Sequence, residues 1–444
     1  MTEYTTTEIR NVAFVGHAGA GKTLLTEALA HNAGAITAKG SIEKGTTVTD
    51  FDDLEKKHQH SLTSSLAAFD HNGWQVNLID TPGYPDFIGS AFSVLPAVET
   101  VAIVINAQRG IESTARRMLE WARDQNQCRM VIINRIDAEE VDLEAVYEQV
   151  RTVFGRECLA VNLPATGGTT VADCFFSPTG ESDFSSVEKA HTAIVDQTVE
   201  VDEELMSLYL EDGEISPEQL HDPFEKALRE GHLIPVCFTS ASTGVGISEL
   251  LGIIGKLLPN PSEGNPPRFI NGYGDDGQPI QVSANADEHV LAHVFDVDFD
   301  PFVGRQAMLR VHQGTIQKDG QLFVGDARKP IKVGNLSSPL GKDMRERSRA
   351  VPGDIMMLSK VEGVGYDSVL HDSHDQDQIH LKALPLPTPM VGISVAPKTR
   401  GDEQKVAEVL GRLTESDPCL RIERNPSANE TILRGMGDLH LRIA

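Results

Sequence analysis

The stretch NVAFVGHAGAGKTLLTEALAH, residues 11–31, decides the fold. Its first five residues form an apolar run of the kind that makes a strand buried on both faces. Gly16 to Thr23, GHAGAGKT, then match the pattern G-x-x-x-x-G-K-[ST], and LLTEALAH continues as a helix. A strand, a glycine-rich loop and a helix in that order make a phosphate cradle. The glycines let backbone N–H groups close around a phosphate, and the helix start adds partial positive charge. We read Gly16, His17, Ala18, Gly19, Ala20 and Gly21 as backbone contacts. Lys22 is read as the cation on the β- and γ-phosphates and as part of the catalytic set, and Thr23 as a Mg²⁺ ligand.

Outward from this loop the pattern repeats. WQVNLI (74–79), TVAIVIN (100–106), RMVIIN (129–134) and LIPVCFTSA (233–241) are further near-continuous apolar runs. Between TVAIVIN and RMVIIN, GIESTARRMLEWARDQNQ has helical spacing and a polar face. Strands alternating with helices predict an α/β domain with a doubly wound sheet over 1–265. An acidic helical stretch at about 155–232 breaks the rhythm and reads as an insert, with Ser216 and Pro217 as cap and first position of one helix. LLPNPSEGNPP (257–267) reads as a linker. Short alternating segments over 286–384 predict an antiparallel β-barrel. After ALPLPTP, residues 388–444 read as a strand, an amphipathic helix over GDEQKVAEVLGRLTES, strands at 419–424 and 429–434, and a last helical run in GDLHLRIA.

Two further motifs stand at strand ends. In DTPGYPDF, residues 80–87, Asp80 follows a buried strand where a metal-side carboxylate is needed. Gly83 lets the loop swing so that its N–H meets a γ-phosphate. Tyr84 follows where a histidine would hold the attacking water, and we read Gly83 and Tyr84 with Lys22 as the catalytic set. A phenol is neutral near pH 7 and a poor base, so slow hydrolysis is expected; the plain alternative is a tyrosine that only packs. In NRID, residues 134–137, Asp137 can accept hydrogen bonds from the guanine N1–H and 2-amino group, donors that adenine lacks. Asn134 would tie this loop to the phosphate loop, and the Arg135 stem would cover the purine face. Ser240 and Ala241 in TSA end the last strand and are read as base contacts. Thr63 lies between the phosphate loop and Asp80, and is read as a third Mg²⁺ ligand.

Composition bounds the rest. The chain has 444 residues, a formal net charge of -26, 40% hydrophobic and 23% charged residues. Those are globular values, and an acidic chain is not a general nucleic-acid coat, nor is a sequence-specific one expected. No apolar run is long enough for a membrane helix, and MTEYTTTEIR (1–10) lacks the charged-then-apolar layout of a secretory signal. Five scattered cysteines without a CxxC pair predict reduced thiols and a cytoplasmic protein. His31, His58 and His60 lack the spacing of a metal site.

With these motifs quoted, the chain resembles the translational GTPases, and within them the elongation factor G-like proteins. DEELMSLYLEDGEISPEQL resembles that family's insert. DPFVGRQAMLRVHQGTIQKDGQL (300–322) and AVPGDIMML (350–358) resemble its β-barrel second domain. PMVGISVAPKTRGDEQKVAEVLGRLTESDPCLRI and ETILRGMGDLHLRI resemble its third, a ferredoxin-like α+β domain. The resemblance implies GTP and GDP with Mg²⁺ as ligands, the ribosome as partner, and a monomer. Departures are Gly16 and Gly19 for the family's Ala and Asp, HSLTS for RGITI, Arg135 for Lys, and Tyr84 for His. The chain ends inside the third domain, so the reading expects a fragment or incomplete gene product that does not translocate alone. Two other readings stand beside it. One is a GTP-binding, ribosome-associated regulator with little or no hydrolysis. The other is an ATP-using enzyme, which Asp137 disfavours.

Overall fold

The structure, a computed structural model, describes residues 3–212, 215–272, 274, 277–300, 302–426 and 430–444. It divides into two compact units. The first takes Met1–Ser61, Ser65–Gly83 and Val98–Asn265, and the second takes Leu62–Ser64, Tyr84–Ala97 and Pro266–Ala444.

The first unit is an α/β domain. Its early elements are β1 (Ile9–Val15), α1 (Lys22–Asn32), α2 (Asp53–His58), β2 (Ser65–His71) and β3 (Trp74–Asp80). Helix α3 (Ile88–Val94) follows in sequence and belongs to the second unit. Next come β4 (Thr100–Asn106), α4 (Ser113–Asp124), β5 (Cys128–Asn134), α5 (Leu143–Phe154) and β6 (Cys158–Ala160). The hairpin β7 (Asn162–Ala165) and β8 (Thr170–Asp173) leads into α6 (Val187–Val199), α7 (Glu203–Asp212) and α8 (Pro217–Glu230). β9 (Ile234–Thr239) and α9 (Ile247–Lys256) close the unit.

The strands of this unit lie in the order β2-β3-β1-β4-β5-β9-β6. All pairs are parallel except β2 with β3. Every residue of β1, β4 and β5 is buried, because helices cover both faces of a parallel sheet. Register brings the motifs to one edge. Phe14 lies opposite Asp80, while Asn106, Asn134 and Thr239 stand side by side at the carboxyl ends of β4, β5 and β9. That edge is where open α/β sheets bind ligands.

Three features differ from the sequence reading. β2 pairs antiparallel to β3, and its alternation is hidden because its first five residues are all buried. β6 pairs with β9, so the stretch read as an insert from 155 starts inside the sheet. A three-residue strand is too short to show a period. Helix α9 occupies the run before the linker, with Ile247, Leu250, Leu251 and Ile254 buried. The α8 start follows capping chemistry: the Ser216 hydroxyl accepts the Gln219 N–H, and Pro217 stands in the first turn. Gly213 and Glu214 of the insert lie outside the described residues.

The second unit holds an antiparallel β domain and an α+β domain. The long hairpin Leu291–Asp300 and Gly304–Gln313 joins Ile355–Ser359, Asn335–Leu340 and Val369–His371. Val294, Leu309, Val311, Leu336, Met356, Leu358 and Leu370 fill its core. A small sheet of Phe269–Asn271, Gln278–Ile280 and Ile379–Leu381 starts before residue 286. The last part runs Val391–Val395, α10 (Glu403–Ser416), Arg421–Asn425, Glu430–Gly435 and α11 (Asp438–Ile443). Glu430–Gly435 is the central strand of its sheet, and Leu410, Leu420, Leu433 and Leu441 form its core. Residue 429, read as the start of that strand, lies outside the described residues. The end of DTPGYPDF anchors here: Asp86 Oδ2 accepts the N–H groups of Leu439 at 3.1 Å and His440 at 3.2 Å.

Candidate functional site

The phosphate loop turns on glycines that nothing else could replace. Gly16 has φ 141°, and a Cβ there would sit 2.3 Å from the Val104 carbonyl oxygen. Gly21 has φ 93°, and its Cβ would meet Asn134 Nδ2 at 2.4 Å. Lys22 opens α1, buried, and its Nζ donates to the carbonyls of Gly16 at 2.9 Å and His17 at 3.2 Å. Burial pushes this ammonium down to about 8, while Asp80, Asp50 and Glu112 pull the other way. The Ala18 N–H donates to the Gly83 carbonyl at 3.1 Å, and the Ala20 N–H to His17 at 3.2 Å. A Cβ on Gly83 would lie 2.6 Å from both Ala18 N and Lys22 Nζ, so only glycine fits against the loop. His17 turns away from the loop, Nδ1 on the Thr114 hydroxyl at 3.0 Å and Nε2 on Glu112 at 3.4 Å.

Behind the loop lies an oxygen-rich corner. Asp80 Oδ2 accepts the Thr49 hydroxyl at 2.9 Å, and Oδ1 is buried without a hydrogen bond. Burial raises this carboxyl to about 7, helped by the neighbouring Asp50 and opposed by Lys22, Thr23 and Thr49. Asp50 is buried with both oxygens outside good hydrogen-bond geometry, although the Ser61 hydroxyl stands beside it; burial raises its pKa as well. The Thr23 hydroxyl meets that of Ser61 at 3.3 Å. Buried carboxylate oxygens without partners, beside a threonine hydroxyl, are a hard-oxygen donor set that suits Mg²⁺. Among the described residues no cluster of three His, Cys, Asp or Glu groups that could hold a metal ion is found.

The segment carrying Thr49 and Asp50 is held from α1. The buried Glu27 carboxylate accepts the N–H of Gly40 at 2.6 Å and that of Val48, clasping both ends of the loop between them. Sequence reading missed Thr49 and Asp50. Their signal was TTVTD, hydroxyls and a carboxylate standing between the phosphate loop and DTPG. Thr63, read as the metal ligand from this region, is exposed and belongs to the second unit. Tyr84, also grouped with the second unit, is 38% exposed, and its carbonyl accepts the Phe87 N–H.

The third corner is built on Asn134. Its Nδ2 donates to the Ala20 carbonyl at 2.9 Å, and its Oδ1 accepts the N–H groups of Arg135 at 2.9 Å and Ala241 at 3.1 Å. One amide therefore joins the phosphate loop to both loops expected around a base. Arg135 takes φ 65°, a left-handed turn that exposes Asp137 beyond it. Burial works against the Asp137 charge, but hydrogen bonds from Ser240 and Ser242 outweigh it and hold the carboxyl below its ordinary range. The Ser242 hydroxyl donates to Asp137 Oδ2 at 2.9 Å, and Ser240 Oγ accepts the Thr243 N–H. Here the N–H of Ala241, read as a base contact, is engaged by Asn134. Lys39 reaches the same loop, donating to the carbonyls of Ala241 at 3.2 Å and Ser242 at 3.1 Å.

Comparison with known proteins gives the same three parts. Residues 7–260 match the elongation factor Tu GTP binding domain, 289–366 match elongation factor G domain 2, and 386–444 match elongation factor G, domain III. An elongation factor G-like protein of Mycobacterium tuberculosis (strain ATCC 25618 / H37Rv) is 32% identical over 464 residues, covering 98% of this chain. One of Thermotoga maritima is 28% identical over 447 residues, again covering 98%. The chain spans 64% of the length of each of these relatives. A crystal structure of a Thermus thermophilus protein superposes with a TM-score of 0.85 at 31% identity, covering 98% of this chain and 65% of that one. Among the described residues no helix is long and apolar enough to cross a membrane.

Proposed function

Because the chain belongs to the elongation factor Tu GTP-binding domain family and carries elongation factor G domains 2 and III behind it, we propose that it binds GTP with Mg²⁺ and hydrolyses it slowly in connection with the ribosome. The observation that carries this reading is the Asn134 amide, which joins the phosphate loop to the two loops around Asp137. Guanine would place N1–H and its 2-amino group on the Asp137 carboxylate, which Ser242 already orients. Lys22 would leave the Gly16 and His17 carbonyls for the β- and γ-phosphates. Thr23 and Asp80 would hold Mg²⁺, with Asp50 beside them and Thr63 as a further ligand. Bound there, Mg²⁺ neutralises phosphate charge. The Gly83 loop would exchange its carbonyl contact on Ala18 for an N–H contact to the γ-phosphate. With Tyr84 in place of a histidine, water is positioned but only weakly deprotonated. The proposed setting is the cytoplasm, with the protein a monomer and the ribosome its partner.

A regulator that binds GTP with little or no hydrolysis is the second reading, favoured by Tyr84. Binding is tested first. GTP and ATP compete for a fluorescent GDP analogue, and GTP should win by at least about 10³-fold. Lys22→Ala should lose about 10²-fold or more in GTP affinity, since the phosphate charge loses its buried cation. Equal competition by ATP, or parental affinity in Lys22→Ala, would sink the nucleotide reading. Multiple-turnover phosphate release with and without ribosomes then separates the slow GTPase from the regulator.

A further inference from the structure

Gly19 leaves a space on the phosphate loop, and a positive charge lines it. A Cβ built on Gly19 would lie 3.3 Å from Arg109 Nη1 and 3.7 Å from its Cζ. Arg109 Nη1 also donates to the Ala18 carbonyl at 3.4 Å. The guanidinium therefore rests on the crest of the loop, beside Gly19. Its path is set by the turn after β4, where the Arg109 N–H donates to the Asn106 carbonyl at 3.0 Å and Asn106 Nδ2 reaches the Gly19 carbonyl at 3.3 Å.

Ala18 stands where the phosphate loop meets the Gly83 loop. Its N–H holds the Gly83 carbonyl, its carbonyl holds Arg109, and Lys22 binds the carbonyl just before it. The acid nearest to Arg109, Glu112, stands 3.8 Å from Nη1, beyond hydrogen-bond length, and also serves His17. The Arg109 side chain is 56% exposed, so most of its five donors are free to turn inward.

We propose that Arg109 is a catalytic cation supplied in cis, which moves from the Ala18 carbonyl onto the γ-phosphate oxygens of bound GTP. This deepens the GTPase reading and rests on it. In hydrolysis the water oxygen bonds to the γ-phosphorus, and the bond from that phosphorus to the bridging oxygen breaks. Its electron pair goes to GDP, and the water proton goes to the released phosphate. Charge grows on the bridging and γ-oxygens, where a guanidinium fork binds two oxygens at once. An arginine so placed is worth about 10³–10⁵-fold in other nucleotide hydrolases, and partial exposure sets the expectation here at about 10²-fold.

The test compares the parent with Arg109→Ala and Arg109→Lys, reading GDP affinity, affinity for GDP with aluminium fluoride, and single-turnover hydrolysis. Arg109→Ala should keep GDP affinity within about threefold, and lose about tenfold or more of the preference for GDP–aluminium fluoride over GDP. Its hydrolysis rate should fall about 10²-fold, and Arg109→Lys should recover only part, keeping charge without the fork. An unchanged preference in Arg109→Ala, or a parent with no preference, overturns the role of Arg109. A parent that fails to bind GDP at all sinks the nucleotide reading itself, which is a different result.

Discussion

The Thr49 hydroxyl donates to Asp80 Oδ2 at 2.9 Å, while the other oxygen of that buried carboxylate has no hydrogen bond. Burial and the adjacent Asp50 lift the Asp80 carboxyl to about 7. Without metal the folded chain thus holds a proton that the unfolded chain releases near pH 4. Stability from this group is full below that pH and is lost as pH rises toward 7. Glu225 and Asp296, also raised to about 7 by burial, act in the same direction and outnumber His312, which burial holds well below its ordinary range and which opposes them as pH falls below about 6.5. Calorimetry without ligands should show the melting temperature falling by about 5 °C between pH 5.5 and 8, and Mg²⁺ with GDP should restore more at pH 8 than at pH 5.5. A melting temperature that climbs across this range would contradict the assignment.

Asp50→Asn should separate stability from metal binding. Removing one of two buried, adjacent acids relieves repulsion, so the ligand-free variant should melt higher than the parent. Its Mg²⁺ requirement for nucleotide binding should rise about tenfold, as for residues that tune a metal site from beside it. Titration of Mg²⁺ against bound fluorescent GDP measures this. A higher melting temperature with parental Mg²⁺ dependence would show that Asp50 faces no ion.

Asp137→Asn should move base preference from guanine toward xanthine. The amide offers a donor to the xanthine 2-oxo group and loses an acceptor that guanine needs. Competition between GDP and xanthosine diphosphate should shift by about 10²-fold or more in favour of the latter. Unchanged guanine selectivity would show that Asp137 does not touch the base.

Tyr84→His should raise ribosome-stimulated turnover by about 10²-fold, because imidazole both orients water and takes a proton near neutral pH. Tyr84→Phe should lower it, having no hydroxyl to hold water. Phosphate release under saturating GTP gives both numbers. If neither variant differs from the parent, position 84 is scaffold and catalysis rests elsewhere.

Much of this site was legible in local sequence. GHAGAGKT, DTPG and NRID each sit where an apolar strand meets a loop. Glycine conformation and strand period are properties of short windows, so the loops at Gly16, Gly83 and Asn134 could be read without knowing the fold. The α/β rhythm, the β-rich middle and the α+β end follow from the same periodicities. What needed the tertiary structure was which distant side chains meet. Thr49 and Asp50 reach Asp80 because distant groups hold their loop, Glu27 clasping the segment before them and the Ser65 hydroxyl donating to the Thr49 carbonyl. Arg109 lies 90 positions beyond Gly19 in the chain and rests against it because β1 and β4 are parallel neighbours. β6 was invisible because three buried residues have no period, and it exists only because β9 offers it an edge. Local pattern sets what each segment can be. Contacts between segments far apart in sequence, made once the sheet is assembled, decide which hydroxyls, carboxylates and cations face a ligand.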